Sequence, residues 1–493
     1  MKNKHILFLS HSELLTLDSI FAEKACQYFG YKSIVMVHGY EEYQKAEKLG
    51  FHKVVDISLS NEKIKISENK RDEIVKLMNK IDIEFGKGSI YEDILIDRKL
   101  NTRFSMDWIL SYLLSVHQKV NEILNEFDIA FAVGEVNYAS YRLARKILKI
   151  NGIQYFMYMG TPFFKDRFFV DSSFHLKWKP FLRNLEITKE IPRKVRYQLE
   201  EIILQHQKGI EPSYTKIGRE KGWDADETII KKLKRGAVKR NIQYWKLQLL
   251  NNGKNKGLPF SSLKREMFLF GILARRLRQI YRKIVFKFLI APPDLSKNYF
   301  VYFLHHTPEY TVDTLGGPYR DQIYLITKIS ERLPLNYVLY VKEHVGMVGL
   351  RDIKEYRAIS RLPNVKLITN EIRSFDIIKK AKIVFTISGT PALEANMNDI
   401  PAIMFSNFFT SQISGILQCT NLFELSEKIN TCLSSEINNR FSYENKLQTL
   451  YAIYRTSSKG ALHGMTRNWK NNENIKILKK GFIEQIKQLK KDA

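Results

Sequence analysis

Short apolar runs alternate with helix-period stretches twice along this chain, and that alternation leaves few folds open. In the first 175 or so residues, apolar runs at 6–10, 33–37, 53–57, 129–133 and 154–159 are separated by helical patterns at 15–29, 43–49, 105–124 and 138–151. A strand covered on both faces reads as a nearly continuous apolar run, and a parallel neighbour is reached through a helix, so the pattern predicts a doubly wound α/β unit. Gly30, Gly50 and Gly152 stand just past three of the helical stretches, where a left-handed residue ends a helix. A second series begins near Lys297, with strands expected at 299–304, 337–342, 365–368, 383–387 and 402–405 and helices at 321–331, 353–361, 374–380 and 391–396. The expected fold class is α/β: two Rossmann-like, doubly wound domains whose carboxyl strand ends face a common cleft.

Between the two series the composition changes. From Lys231 to Ile290 there are 17 Lys and Arg and a single acid, Glu266, so this stretch supplies +16 of the chain's formal +27. Within it, Met267, Phe268, Phe270, Leu273, Leu277, Ile280, Tyr281, Ile284, Val285 and Phe288 interleave with Arg275, Arg276, Arg278, Arg282, Lys283 and Lys287, the pattern of a basic amphipathic helix. Such a helix either packs its apolar stripe on the protein with its charges in water, or lies on an anionic membrane surface. The expected organisation is an N-terminal Rossmann-like domain at 1–178, a basic, mainly helical insertion at 179–296, a second Rossmann-like domain at 297–440 and a helical tail at 441–493. No run reaches the roughly 18 to 20 apolar residues of a membrane span, and the apolar run at 6–9 is too short for a signal-peptide core. Cys26, Cys419 and Cys432 form no metal or disulfide pattern. A cytoplasmic protein is expected.

Several strand ends carry polar residues that could do chemistry. Phe385 to Ile387 runs into Ser388-Gly389-Thr390 and then Pro391, a residue suited to the first position of a helix, with Glu394 one turn on. The turn could hold an anion and Glu394 could accept from ribose hydroxyls, or Ser388 and Thr390 could simply cap the helix. The strand ending Tyr340-Val341-Lys342-Glu343-His344 places a cation and an imidazole at a strand terminus. The loop from His305-His306 through Glu309 to Leu315-Gly316-Gly317 has glycines that would let backbone approach a ligand. No third ligand accompanies the paired histidines, so no metal is expected there. In the first domain, His11 and Glu135 directly follow strands and are the candidate general bases. Arg167 and Asp171 are weaker candidates. Phosphate-loop, serine-hydrolase, zinc-protease and G-x-G-x-x-G nicotinamide patterns are all missing.

Thr307-Pro308-Glu309, Leu315-Gly316-Gly317, Tyr340 to His344, Leu362-Pro363-Asn364-Val365, and Ser388-Gly389-Thr390 with Glu394 and Pro401 resemble the bacterial capsule polysaccharide biosynthesis family. The resemblance covers about 110 residues of the second series well and the first series loosely. It implies the GT-B architecture and a glycosyltransferase using a nucleotide-activated sugar, in several relatives a CMP-linked acid sugar such as Kdo. By that analogy His344, Ser388, Gly389 and Thr390 would line the nucleotide and phosphate site, and Glu309, Gly316, Gly317, Lys342 and Glu394 complete the expected donor-binding set. One departure is Val345, where the family has a proline after the histidine. The expected partners are the nucleotide-sugar donor as substrate, with no other cofactor, a glycan or lipid-linked acceptor, and the anionic inner face of the cytoplasmic membrane. A non-hydrolysing sugar-nucleotide epimerase is the rival reading. Specific nucleic-acid binding is not expected, because no recognition motif accompanies the basic stretch.

Overall fold

The computed structural model describes residues 4–210 and 269–491, apart from 13, 60–63, 87, 98–99, 101–103, 136, 174–175, 188, 308, 464 and 467. Much of the basic insertion, 211–268 with Met267 and Phe268, therefore lies outside the described residues, as does Pro308.

The first unit contains strands β1 Lys4–Leu9, β2 Lys32–Val37, β3 Lys53–Asp56, β4 Asp128–Gly134, β5 Tyr155–Gly160 and β6 Arg167–Asp171. The second contains β7 Tyr299–Phe303, β8 Val338–Lys342, β9 Val365–Ile368, β10 Ile383–Thr386, β11 Ala402–Met404 and β12 Ile416–Gln418; a last short strand, β13, is Ser458–Lys459. The sheet orders are β13-β6-β5-β4-β1-β2-β3 and β12-β11-β10-β7-β8-β9. The second sheet is parallel throughout, and in the first only β6 runs against its neighbours. Both units share one winding: the first strand lies between the second and the fourth. The chain thus reverses direction across the sheet between β1 and β4 and again between β7 and β10, and at such reversals the connecting helices diverge and leave a crevice.

Local physics explains the elements. β7 is buried at every position and β1 at all but its first, as double coverage demands. Helix Met106–Glu126 opens on Ser105, whose hydroxyl accepts from Trp108 N–H, and buries Ile109, Tyr112, Leu113, Val116, Val120 and Ile123 at three- and four-residue spacing. Each such side chain contributes about 1.5–3 kcal/mol of transfer free energy.

The C-terminal segment crosses back to the first unit. After helix Tyr443–Thr456, β13 adds antiparallel to β6, and helix Asn472–Lys491 lies along helix Leu14–Phe29, with Phe482 stacked on Phe21 at 4.2 Å. Arg167 is the tie: its Nε donates to Ser457 Oγ at 2.8 Å and its guanidinium lies 4.2 Å from the Tyr454 ring centre. Asp171 accepts from Trp178 N–H at 3.0 Å. Both weaker site candidates therefore sit in packing contacts.

The units meet where their carboxyl strand ends approach. Arg142, in the first turn of the helix following β4, donates to Thr314 Oγ1 in the loop following β7, and its other side pairs with Asp93 at 3.1 Å. Lys146 completes this buried network at 2.8 Å from Asp93 and 2.9 Å from Asp82. Among the described residues no helix is long and apolar enough to cross a membrane.

Candidate active site

At the first reversal, the end of β4 lies unusually close to β1. A Cβ at Gly134 would fall 2.3 Å from the Leu9 carbonyl oxygen, so only glycine permits this approach. The next residue, Glu135, is held by the Asn137 side-chain amide, which donates to its Oε2. Burial pushes the Glu135 carboxyl up to about 7, against the lowering effect of that bond. Asp18, 1% exposed on helix Leu14–Phe29, accepts from Tyr158 Oη at 2.9 Å. Its carboxyl is also raised to about 7, mainly by burial, with bonds from Ser10 and Tyr158 opposing and the Glu135 charge adding to the rise. Each carboxyl is raised chiefly by its own burial, the Glu135 charge being the smallest of the influences on Asp18. His11 is half-buried, its ring 5.0 Å from Tyr138 and 6.3 Å from Tyr141, and Tyr141 Oη donates to the Ser10 carbonyl at 2.5 Å.

The second reversal carries different chemistry. His305, just past β7, accepts at Nε2 from the Ile387 N–H at 3.2 Å and lies 3.0 Å from Thr386 Oγ1, so its proton sits on Nδ1 and the ring bridges β7 to β10. Burial, with His344 and Arg351 nearby, lowers it to about 3, and it is neutral at any physiological pH. Gly389 makes room for this ring: a Cβ there would lie 2.9 Å from His305 Cε1 and 2.8 Å from Pro391 Cδ. His344 Nδ1 accepts from Gly346 N–H at 3.1 Å, which leaves the proton of the neutral ring on Nε2; burial, His306, Lys342 and Arg351 lower it to about 4. The His306 and His344 rings are 5.6 Å apart, edge to face, and Lys342 ends β8 with 5% exposure.

Glu343 holds this edge together. Its carboxylate takes Arg351 Nε at 2.5 Å, Tyr356 Oη at 2.8 Å and the His344 N–H at 2.7 Å, and Arg351 reaches on to the His305 carbonyl at 2.8 Å. The ion pair is fully buried and raises the Arg351 pKa further.

The structure thus brings Lys342, His344, Ser388 and Gly389 to one edge, together with His305 and His306. Ser388 Oγ donates to the Thr311 carbonyl at 2.9 Å, tying the β10 loop to the loop that carries Glu309, Gly316 and Gly317. Thr390 is exposed and makes no capping bond to helix Pro391–Met397, so neither hydroxyl plays the capping role that was the alternative reading. Glu394 lies part-buried on that helix and Glu309 is exposed. Gly316 is needed for packing, since a Cβ would fall 2.3 Å from the Val312 carbonyl oxygen, whereas Gly317 adopts φ +51°. A cavity of about 540 Å³ opens between the units, lined by Leu95 and Ile96 on one side and by Thr307, Asp313, Arg320, Arg351 and Lys354 among others. The turn at 388–390 is not on its wall.

Asp18, His305 as a bridge, Arg351 and Tyr356 escaped the sequence reading. The usable signal for Asp18 was a lone carboxylate among Leu15, Leu17, Phe21 and Ala22.

No family model matches the chain, and no curated protein matches it. Among solved structures it is similar to Anabaena Alr3699/HepE in complex with UDP and glucose, at 11% identity over 99% of this chain and 100% of that one, with TM-score 0.32. It is also similar to the beta Kdo 2,4 transferase of Thermosulfurimonas dismutans KpsC, at 12% identity over 69% and 88% with TM-score 0.34. A third is the UDP-GlcNAc 2-epimerase from Methanocaldococcus jannaschii, at 12% over 92% and 99% with TM-score 0.26. The architecture of two doubly wound units rests on the strand orders, and the chemistry on the residues.

Proposed function

We propose that this protein is a glycosyltransferase that moves a sugar from a nucleotide-activated donor, a CMP-linked acid sugar in the reading favoured by the motif resemblance, to a growing surface polysaccharide at the inner face of the cytoplasmic membrane. The observation that carries this reading is the pairing of two unlike strand-order reversals across the Arg142–Thr314 contact. One holds carboxyls that titrate near pH 7, the other a lysine and imidazole donors.

The division suits a displacement. Glu135 takes the proton of the acceptor hydroxyl as its oxygen bonds to the anomeric carbon. The bond from that carbon to the phosphate oxygen breaks on the opposite face, its electron pair leaves with the nucleotide, and the configuration inverts. In this reading Lys342 and the His344 Nε2–H stabilise the charge that develops on the leaving phosphate. Because Lys342 supplies a positive charge and the neutral His344 ring a hydrogen bond, transfer without a metal is part of the proposal.

The test is incubation with labelled CMP- and UDP-linked sugars, with and without a capsule-type acceptor glycan. Acceptor-dependent release of the nucleotide, lost in Glu135→Gln, supports the reading. Interconversion of the nucleotide sugar with no acceptor present replaces it with the epimerase, and no turnover of either kind by folded protein rejects both.

A further inference from the structure

Helix Leu269–Leu289 contains Arg275, Arg276, Arg278, Arg282, Lys283 and Lys287 and no acidic residue. It is fastened to the second unit by one side. Phe286 is buried with its ring 4.8 Å from Tyr356, Arg282 pairs with Asp352 at 2.8 Å and donates to the Leu350 carbonyl at 2.5 Å, and the stem of Lys283 lies over Gly349. At 100° per residue, Leu277, Ile280, Tyr281, Ile284 and Phe288 fall within a band about 100° wide, centred opposite Phe286. These five are 59, 51, 56, 49 and 83% exposed. A helix that merely covers its domain turns its apolar stripe inward. This one turns Phe286 inward, with Leu289 also packed on the domain, and turns the band of five to solvent, with exposed Arg278 along one edge and exposed Lys287 beside Arg276 along the other.

We infer that this outward face is a membrane-docking surface whose partner is an anionic lipid bilayer, entered by the five apolar side chains while the flanking cations meet the headgroups. Charge complementarity selects that partner. An apolar stripe alone would suit a second copy of the chain, but two such helices face to face would bring together two acid-free, strongly basic edges and repel. Exposed cations gain about 1 kcal/mol each near an anionic leaflet, and an interfacial helix needs both that attraction and a buried apolar face. The inference depends on the proposed function only in placing the acceptor at a membrane. It concerns an element outside the residues assigned to transfer.

The experiment uses the full chain and vesicles of phosphatidylcholine, with and without phosphatidylglycerol as the anionic lipid. Wild type should float with the anionic vesicles, and Tyr281→Trp should show blue-shifted fluorescence on adding them. Ile284→Ser with Phe288→Ser should weaken binding about tenfold or more with an unchanged thermal midpoint, since both side chains are exposed. Arg278→Glu with Lys287→Glu should weaken it and flatten its salt dependence. Unchanged binding by the serine variant, or no shift of the tryptophan, would overturn the proposal, as would a wild-type dimer that the serine variant converts to monomer without any vesicle binding. Turnover on a soluble acceptor is read in parallel: its absence in a chain that binds vesicles through this face removes the transferase reading and leaves the docking surface standing.

Discussion

The two units wind their strands in the same order and place polar residues at the same reversal, yet they fill that position with opposite chemistry. At β1 and β4 burial makes acids reluctant to ionise, raising Asp18 and Glu135 to about 7. At β7, β8 and β10 burial makes bases reluctant to ionise, lowering His305 to about 3 and His344 to about 4. One physical cause, loss of water, thus yields a proton acceptor near neutrality in one half and neutral hydrogen-bond donors in the other. Winding decides where a site forms and side-chain identity decides what it does.

The sharpest way to break the comparison is to remove what stiffens the basic half. Glu343→Ala strands the buried Arg351 and should cost about 3–5 kcal/mol in urea unfolding, whereas Glu135→Gln should leave stability nearly intact. On activity the ranking reverses. Glu135→Gln should reduce turnover roughly 10²- to 10⁴-fold if it is the base. His344→Ala should lower turnover by less, about the effect of one lost donor, and a larger fall for His344→Ala than for Glu135→Gln would mean the roles are assigned to the wrong halves.

Stability against pH separates the halves by sign. An acid raised in the fold binds its proton more tightly there than in the unfolded chain, so Asp18 and Glu135 make stability fall as pH rises from about 4 to 7. A base lowered in the fold does the reverse, so His305 and His344 make stability rise as pH climbs from about 3 to 6.5. Asp18→Asn should therefore steepen the rise of unfolding free energy between pH 4 and 6.5, and His305→Gln should flatten it; identical profiles for the two variants would show that neither group is perturbed as described.

Two glycines give a smaller contrast. At Gly134 an added methyl meets backbone, which cannot yield, and at Gly389 it meets an imidazole and a proline ring. Gly389→Ala should cost about 1–3 kcal/mol and Gly134→Ala more, measured by chemical unfolding. Smallest of all, Thr390→Ala should shift stability by less than about 0.5 kcal/mol, because Thr390 is exposed and caps nothing.

Where the evidence in a sequence is local, it was legible. All five parallel strands of the first unit and four of its helices could be read from apolar runs with glycine stops, as could the strand-end positions of Glu135, Lys342 and His344. What depended on distant partners was hidden. β6 pairs with a two-residue strand some 290 positions later, and nothing near Arg167 announces Ser457. Helices Glu68–Phe85 and Ile90–Ile96 carry weak stripes between polar stretches and were not anticipated. The period of helix Leu269–Leu289 was visible, but periodicity cannot say which side of a helix meets the protein, and here the burial of Phe286 and the Arg282–Asp352 pair settle it.

The return of the last forty residues to the first unit has a consequence for biosynthesis. Phe21 and the outer edge of β6 take part of their cover from Phe482 and β13, so the unit made earlier by the ribosome is completed by residues made much later. A nascent chain carries an incomplete first unit until helix Asn472–Lys491 emerges, and removal of that helix would expose the core around Phe21.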